Sequence, residues 1–199
     1  MVNIDDSACA RTRERLIQAA REAFMRDGYR ASMDAIAARA GVAKQTLYNH
    51  FPRKEDLFSE TACSASGNIV VALDSGSANV RESLVNFGCS FRAKALGEEG
   101  LAMFRALTAE GNRFPEMARS FFARGPSLMV ARLTDFFTRA MDAGHLRRDD
   151  PGFAAEMLIG MLLGFDHARR LCLAPLAEEP EERRVERIVD CFLRAYAAP

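Results

Sequence analysis

Residues 28–58, GYRASMDAIAARAGVAKQTLYNHFPRKEDLF, decide the fold of the N-terminal part of the chain. Their pattern predicts two short helices joined by a tight turn. Ser32 is a favourable N-cap for the first helix, and Gly41 supplies the positive φ that such a turn requires. The second helix is predicted from about Ala43 to His50. This spacing is typical of a helix-turn-helix.

Each apolar position in this stretch has a physical role. Ala37 is small because the second helix crosses closely above it, whereas Val42 and Leu47 pack the two helices against each other and against Phe24. The other face of the second helix is left for solvent or a ligand. It carries side chains long enough, or polar enough, to reach base edges and phosphates: Lys44, Gln45, Thr46, Tyr48 and His50. The pattern therefore predicts binding to double-stranded DNA.

Helices are also predicted on both sides of this unit. Residues 12–26 carry an apolar stripe at helical spacing, and their polar face holds arginines that are interpreted as solvent-exposed. Pro52 is tolerated just before a fourth helix, which is predicted from Lys54 to about Asp74. We place the domain joint in this helix, so residues 1–55 form the DNA-binding domain and residues 56–199 the body. The polar-face arginines are Arg13, Arg15, Arg21 and Arg26.

The body repeats the helical pattern without any stretch of alternating polarity. Helices are predicted over residues 80–96, 101–110, 116–143, 153–172 and 182–196, separated by glycine and proline. The predicted fold class is therefore all-α, with a three-helix head and a helical-bundle body of five or six helices.

Composition is that of a folded globular protein, with 49% apolar and 27% charged residues. The formal net charge is zero, but residues 1–55 contain ten lysines and arginines against seven acidic residues. A positive head on a negative body suits phosphate binding. The longest apolar run, residues 157–165, is too short to cross a bilayer, and residues 1–20 lack a signal-peptide core. We therefore expect a cytoplasmic protein without a membrane partner.

The chain offers no recognisable catalytic or metal site. Its three histidines are scattered, and no nucleophile motif or phosphate-binding glycine loop is present. The five cysteines are spread widely and never form CxxC. We interpret them as reduced thiols, with redox sensing by one of them as the alternative. The sequence predicts no enzyme activity, metal or cofactor.

The sequence of residues 28–58 closely resembles the N-terminal signature of TetR-family regulators, almost without a gap, and residues 12–27 resemble the family's first helix. The resemblance implies that Lys44, Gln45 and Thr46 approach bases and nearby phosphates. It also implies that further side chains hold the DNA backbone, namely Ser32, Tyr48, His50 and Lys54. Gln45 is the best candidate for direct readout, because its amide pairs with adenine in two places. Ala43 and Ala31 depart from the family's usual serine and threonine.

Residues 104–146 resemble the body of the AefR-like branch of that family. The family implies a body pocket for a small apolar or aromatic effector, with core packing as the alternative role for each residue. The candidate lining residues are Phe91, Phe104, Phe122 and Phe137. The last two helices correspond to the family's usual homodimer interface, unless they merely cover the core of the monomer. The candidate interface residues are Leu158, Met161, Leu162, Phe165, Ile188, Phe192 and Leu193.

The resemblance implies a repressor that a small-molecule effector releases from a palindromic operator. A helical partner-binding scaffold without DNA-binding activity is the alternative. For Tyr48, one of the candidate DNA-contacting residues, the alternative is a structural role in which its ring packs under the turn. The operator, the regulated genes, the effector and the direction of regulation are not specified by the sequence.

Overall fold

In a computed structural model, residues 4–63, 79–176 and 178–197 are described, and every regular element among them is helical. The predicted all-α class is confirmed. No helix in these ranges combines the length and apolarity that a membrane span requires. The described residues divide into two compact units.

The first unit comprises residues 4–63 together with Ala102–Gly125. It begins with α1 (Ile4–Asp27), which a 3-10 turn (Gly28–Arg30) connects to the helix-turn-helix. Three short helices follow, and two more come from the later segment. They are α2 (Met33–Arg39), α3 (Lys44–His50), α4 (Lys54–Cys63), α6 (Glu98–Glu110) and α7 (Pro115–Arg124). Of α6, only the part from residue 102 on belongs to this unit.

The second unit comprises residues 79–101 and the described residues from Pro126 on. Its helices are α5 (Val80–Ala95), α8 (Pro126–Asp142), α9 (Pro151–Leu171) and α10 (Glu181–Ala195). Helix α9 packs on α8 and α10, and α10 packs along α5. The predicted division into a DNA-binding domain and a body after residue 55 stays a prediction. The packing units follow another division, because Ala102–Gly125 packs with the head.

Aromatic rings form the centre of the first unit's core. Phe58 on α4 contacts Phe24 and Tyr29, with ring centroids 5.1 and 5.3 Å away. Phe114 and Phe121, from the segment around α7, join this cluster at 5.0 Å from Tyr29 and 6.5 Å from Phe58. Met103 and Met117 are buried in the same cluster. The head and residues 102–125 therefore share one hydrophobic core.

Two predicted helices differ from the structure in their extent, and the predicted end of a third is not tested. Helix α1 begins at Ile4 rather than near residue 12. The apolar pattern missed this earlier start because residues 8–11 are exposed and add nothing to the apolar stripe. The predicted helix 116–143 is broken at Gly125, since Pro126 lacks an N–H and restrains the residue before it. Helix α4 is described to Cys63, so its predicted continuation to about residue 74 lies outside the described residues.

Helix α9 contains a break that the sequence did not predict. Gly164 has φ 48° and ψ −150°, a combination that is essentially confined to glycine. The buried Arg92 of α5 bridges this break, since its guanidinium donates to the Leu162 carbonyl before it and to the Asp166 carboxylate after it. Arg169 and Arg184 also donate to Asp166.

This cluster of charges affects the ionisation of Asp166. Burial by itself would raise the pKa of its carboxyl, but hydrogen bonds from Arg92, Arg169 and Arg184 outweigh burial and hold the pKa below its usual value. The carboxylate therefore stays charged at neutral pH, which keeps three arginines gathered at the break in α9.

We predict that Gly164→Ala lowers the free energy of unfolding by about 1–3 kcal/mol, the usual range for a residue in such a backbone conformation. A Cβ at this position meets no atom of the same protomer within 4 Å, so within the protomer the loss arises from the backbone alone. Urea unfolding at several protein concentrations measures it.

Gly160→Ala is the matched control, because a Cβ there also meets nothing within 4 Å but the backbone is helical. This substitution should instead stabilise the protein by about 0.5–1 kcal/mol. Stabilisation by both alanines would contradict the observed break at Gly164.

Candidate nucleic-acid interface

The helix-turn-helix is built from local signals that the sequence already contains. Ser32 is the N-cap of α2, where its hydroxyl accepts a hydrogen bond from the Ala35 amide at 3.1 Å. The turn closes through Gly41, with φ 64°, and through the Val42 amide, which donates to the Ala37 carbonyl at 3.1 Å. These contacts fix where α3 begins.

Helix α3 presents a polar face and buries a single side chain, that of Leu47. Lys44, Gln45 and Tyr48 are exposed, whereas Thr46 and His50 are half-buried. The structure therefore brings all five predicted contact residues of α3 together on one short helix. Which of them contact DNA stays a prediction.

Two polar side chains of α3 have partners within the helix-turn-helix. The Lys44 ammonium lies 2.8 Å from a carboxylate oxygen of Asp34 on α2 and 5.9 Å from the centre of the Tyr48 ring. The hydrogen bond that the Lys44 ammonium donates to Asp34 raises the pKa of Lys44 above its usual value. The Gln45 amide donates to the Asn49 side chain at 3.0 Å. The amide that reads bases in our prediction thus has an intrahelical partner.

Asp34 was missed by the sequence analysis. It lies in the first turn of α2, where an acidic residue is expected simply to complement the helix dipole. Ten residues separate it from Lys44, and only the turn at Gly41 brings the two together. No periodicity within either helix could have identified this pair.

Helix α3 lacks a side-chain cap at its N-terminus. Ala43 occupies the N-cap position with extended backbone and makes no side-chain hydrogen bond. The first amides of α3 therefore stay available for solvent or an anionic oxygen.

Lys54 occupies the first position of α4, as predicted, but its ammonium has a specific intramolecular partner. It donates to the Tyr29 carbonyl and lies 4.5 Å from the centre of the Tyr29 ring. Burial lowers the pKa of Lys54. The Tyr29 hydroxyl in turn donates to Glu55 at 2.8 Å, and burial raises the pKa of Tyr29. Lys54 therefore ties the start of α4 to the turn that follows α1.

The described residues contain no group of three or more histidine, cysteine, aspartate or glutamate side chains that could hold a metal ion. His50, His145 and His167 belong to three separate segments of the chain. Among residues whose side chains are described, Cys9, Cys89, Cys172 and Cys191 are free thiols.

Two family models match the chain in succession. Residues 16–61 match the model of the bacterial regulatory proteins of the tetR family. Residues 82–198, more than half of the chain, match the C-terminal domain of AefR-like transcriptional repressors. The chain belongs to the TetR family. The predicted family and fold are confirmed. Members of this family bind DNA and usually form dimers.

Solved structures of other regulators resemble this TetR-family chain along most of its length. A TetR-family regulator from Mesorhizobium loti is 30% identical, with 95% of this chain and 98% of that chain aligned and a TM-score of 0.78. The flavonoid-responsive regulator FrrA is 32% identical over 94% and 98% of the two chains, with a TM-score of 0.70. A regulator from Pseudomonas syringae is 29% identical over 94% and 97%, with a TM-score of 0.68.

The predicted dimer residues of this TetR-family protein fall into three groups by burial. Three of them, Leu158, Leu162 and Phe192, are fully buried in the second unit of the protomer itself. Met161, Ile188 and Leu193 are partly buried at its edge. The Phe165 side chain is 72% exposed and lies under the guanidinium of Arg169.

The predicted effector-pocket residues are distributed over both units. Phe91 and Phe137 are buried in the second unit, where their rings contact Phe87 at 5.7 Å and Phe192 at 5.2 Å. Phe104 and Phe122 belong to the first unit, where Phe122 is 62% exposed. Neither unit by itself brings the four phenylalanines together.

Proposed function

We propose that this TetR-family regulator is a repressor that binds a near-palindromic operator as a two-fold dimer. A small apolar or aromatic effector in the body releases it. The polar face of α3 carries the proposal, because Leu47 anchors the helix while Lys44, Gln45 and Tyr48 remain exposed. Long polar side chains on an exposed recognition helix are the usual readers of the major groove.

Repression is supported by the description of the C-terminal domain model, which is that of AefR-like transcriptional repressors. A dimer places two α3 helices in successive major grooves, about 34 Å apart. An effector that binds better to a dimer with another head spacing shifts the population away from the operator-binding form.

Lys44 exchanges partners when DNA binds in this proposal. In the free protein it pairs with Asp34, and both side chains are more than half exposed, so the pair contributes little. A phosphate of the DNA backbone competes readily for such an ammonium. Lys54 has a more strongly held position, since its ammonium must leave the Tyr29 carbonyl to reach a phosphate.

Gln45→Ala should relax sequence preference at about one base pair per half-site, because one bidentate base contact is lost. Lys54→Ala should instead weaken all DNA about equally and lower the slope of affinity against salt concentration. Selection of bound DNA followed by gel shifts at several salt concentrations measures both.

A variant Lys54→Ala with an unchanged salt slope and reduced stability would assign Lys54 to the Tyr29 contact alone. Wild-type protein without any salt-dependent DNA retention would favour the partner-binding scaffold over a DNA-binding regulator.

Phe165→Glu should dissociate the dimer, because it places a charge on an exposed apolar side chain of α9 without disturbing the core of the protomer. Phe192 is unsuitable for this test, since it is fully buried within the protomer and its substitution would unfold the second unit. Sedimentation velocity over a range of concentrations gives the mass in solution.

The matched control is Phe122→Glu, which makes the same change at an exposed phenylalanine of the first unit. It should leave the dimer intact. An unchanged mass for both variants would contradict the participation of α9 in the dimer.

The effector proposal rests on the aromatic body and on the name of FrrA, a flavonoid-responsive regulator 32% identical to this chain. Phe91 and Phe137 are packed against other rings, so an effector that reaches them must displace those contacts. Quercetin, a planar flavonoid, should release the operator in gel shifts and raise the melting temperature. Phe91→Leu should weaken its effect.

Absence of release and of any thermal shift, with quercetin and with simple aromatic acids alike, would contradict an aromatic effector. The DNA-binding part of the proposal would be unaffected by that result.

A further inference from the structure

Helix α3 is held in place by few apolar contacts. It has seven residues, and Leu47 is the only one of them that is fully buried. A short helix fixed at a single point can still tilt and rotate about it. Base readout requires both motions to be restricted, because side chains must reach the base edges in one register. The two ends of α3 therefore need further restraint.

Arg15 restrains the N-terminal end. This residue projects from α1, and its Nη2 donates to the Ala40 carbonyl at 2.5 Å and to the Gly41 carbonyl at 3.2 Å. Ala40 is the C-cap of α2, and Gly41 is the turn residue with positive φ. Carbonyls at a helix end lack intrahelical donors, and bonds from a charged guanidinium are stronger than neutral ones.

The turn is also shaped to receive this guanidinium. A Cβ added to Gly41 would lie only 2.9 Å from Nη2 of Arg15. Glycine at this position therefore serves two purposes, since it adopts the positive φ and leaves room for the arginine.

Arg13 restrains the C-terminal end. The carbon at the centre of its guanidinium lies 5.3 Å from the ring centroid of Phe51, the buried C-cap of α3. Its Nη2 lies 2.8 Å from the Glu60 carboxylate on α4. Arg13 thus lies between the residue that ends α3 and the helix that follows.

We propose that Arg13 and Arg15 are positioning residues that fix the orientation of α3 from both ends. Arg15 holds the turn that enters the recognition helix, and Arg13 holds the residue that ends it. The proposal rests on the proposed DNA-binding function. It differs from the interpretation of these arginines as a solvated face, and from direct phosphate binding by either of them.

The first test needs no DNA. Arg15→Ala should accelerate amide hydrogen exchange at Val42 and Leu47, whose amides donate to the Ala37 and Ala43 carbonyls, and Arg13→Ala should accelerate it in residues 48–51, because each end of α3 loses its restraint. Arg26→Ala is the control, since it removes an arginine from the same helix whose partner is the adjacent Asp27. Exchange in α3 that is unchanged in both variants, or equally faster in the control, would overturn the proposal.

The second test separates positioning from phosphate contact. In gel shifts, Arg15→Ala should weaken operator binding by about tenfold, in the range expected for one lost base contact, while non-specific affinity and the salt slope stay unchanged. Arg15→Lys retains a charged donor and should recover part of the operator affinity.

Equal losses for operator and non-specific DNA, with a slope lowered by about one per protomer, would identify Arg15 as a phosphate contact and overturn the proposal. An unaltered operator affinity would overturn it as well. If wild-type protein bound no DNA, the proposed function would fail, and the exchange experiment would still decide whether the two arginines orient α3.

Discussion

Packing around the Phe58 ring is the interaction on which the first unit depends. Phe24 from α1, Tyr29 from the turn after it and Phe121 from α7 all contact this ring. Elements far apart in the sequence therefore meet at one side chain of α4. Because protein cores are densely packed and transmit strain, a displacement of α7 cannot leave the head unaffected. Helix α4 is thus a mechanical part of the head.

Polar contacts then orient what the aromatic core holds together. Lys54 and Glu55 bind the two ends of Tyr29, one through its carbonyl and one through its hydroxyl. Arg30, the next residue, donates to Glu110 at the end of α6 at 3.0 Å. Ser59 donates to Ser120 of α7 at 3.0 Å, inside the same unit. Such directional bonds select one arrangement among several that the apolar surfaces alone would accept.

The sequence was sufficient wherever structure is determined by neighbours along the chain. The N-cap at Ser32, the turn at Gly41 and the polar face of α3 follow from local chemistry, and the all-α class follows from periodicity. The roles of Asp34, Arg15 and Arg92 did not follow, since each side chain finds its partner on another element. Gly164 was equally hidden, because a glycine within a helical pattern gives no sign of its backbone angles. A charged residue on an amphipathic helix gives the same sequence pattern whether its side chain is solvated or hydrogen-bonded to another element.

The shared core of the first unit bears on how regulators of this kind are recombined. Met103 and Met117 are buried against residues of the head, although they come from a segment that follows it by some forty residues or more. A hybrid regulator joined after residue 55 would set a foreign surface against Phe24 and Tyr29 and leave voids or clashes there. Transplanting a DNA specificity onto another body therefore requires residues 56–63, which include Phe58, and residues 102–125 to be transferred with the head, or the facing positions to be redesigned together.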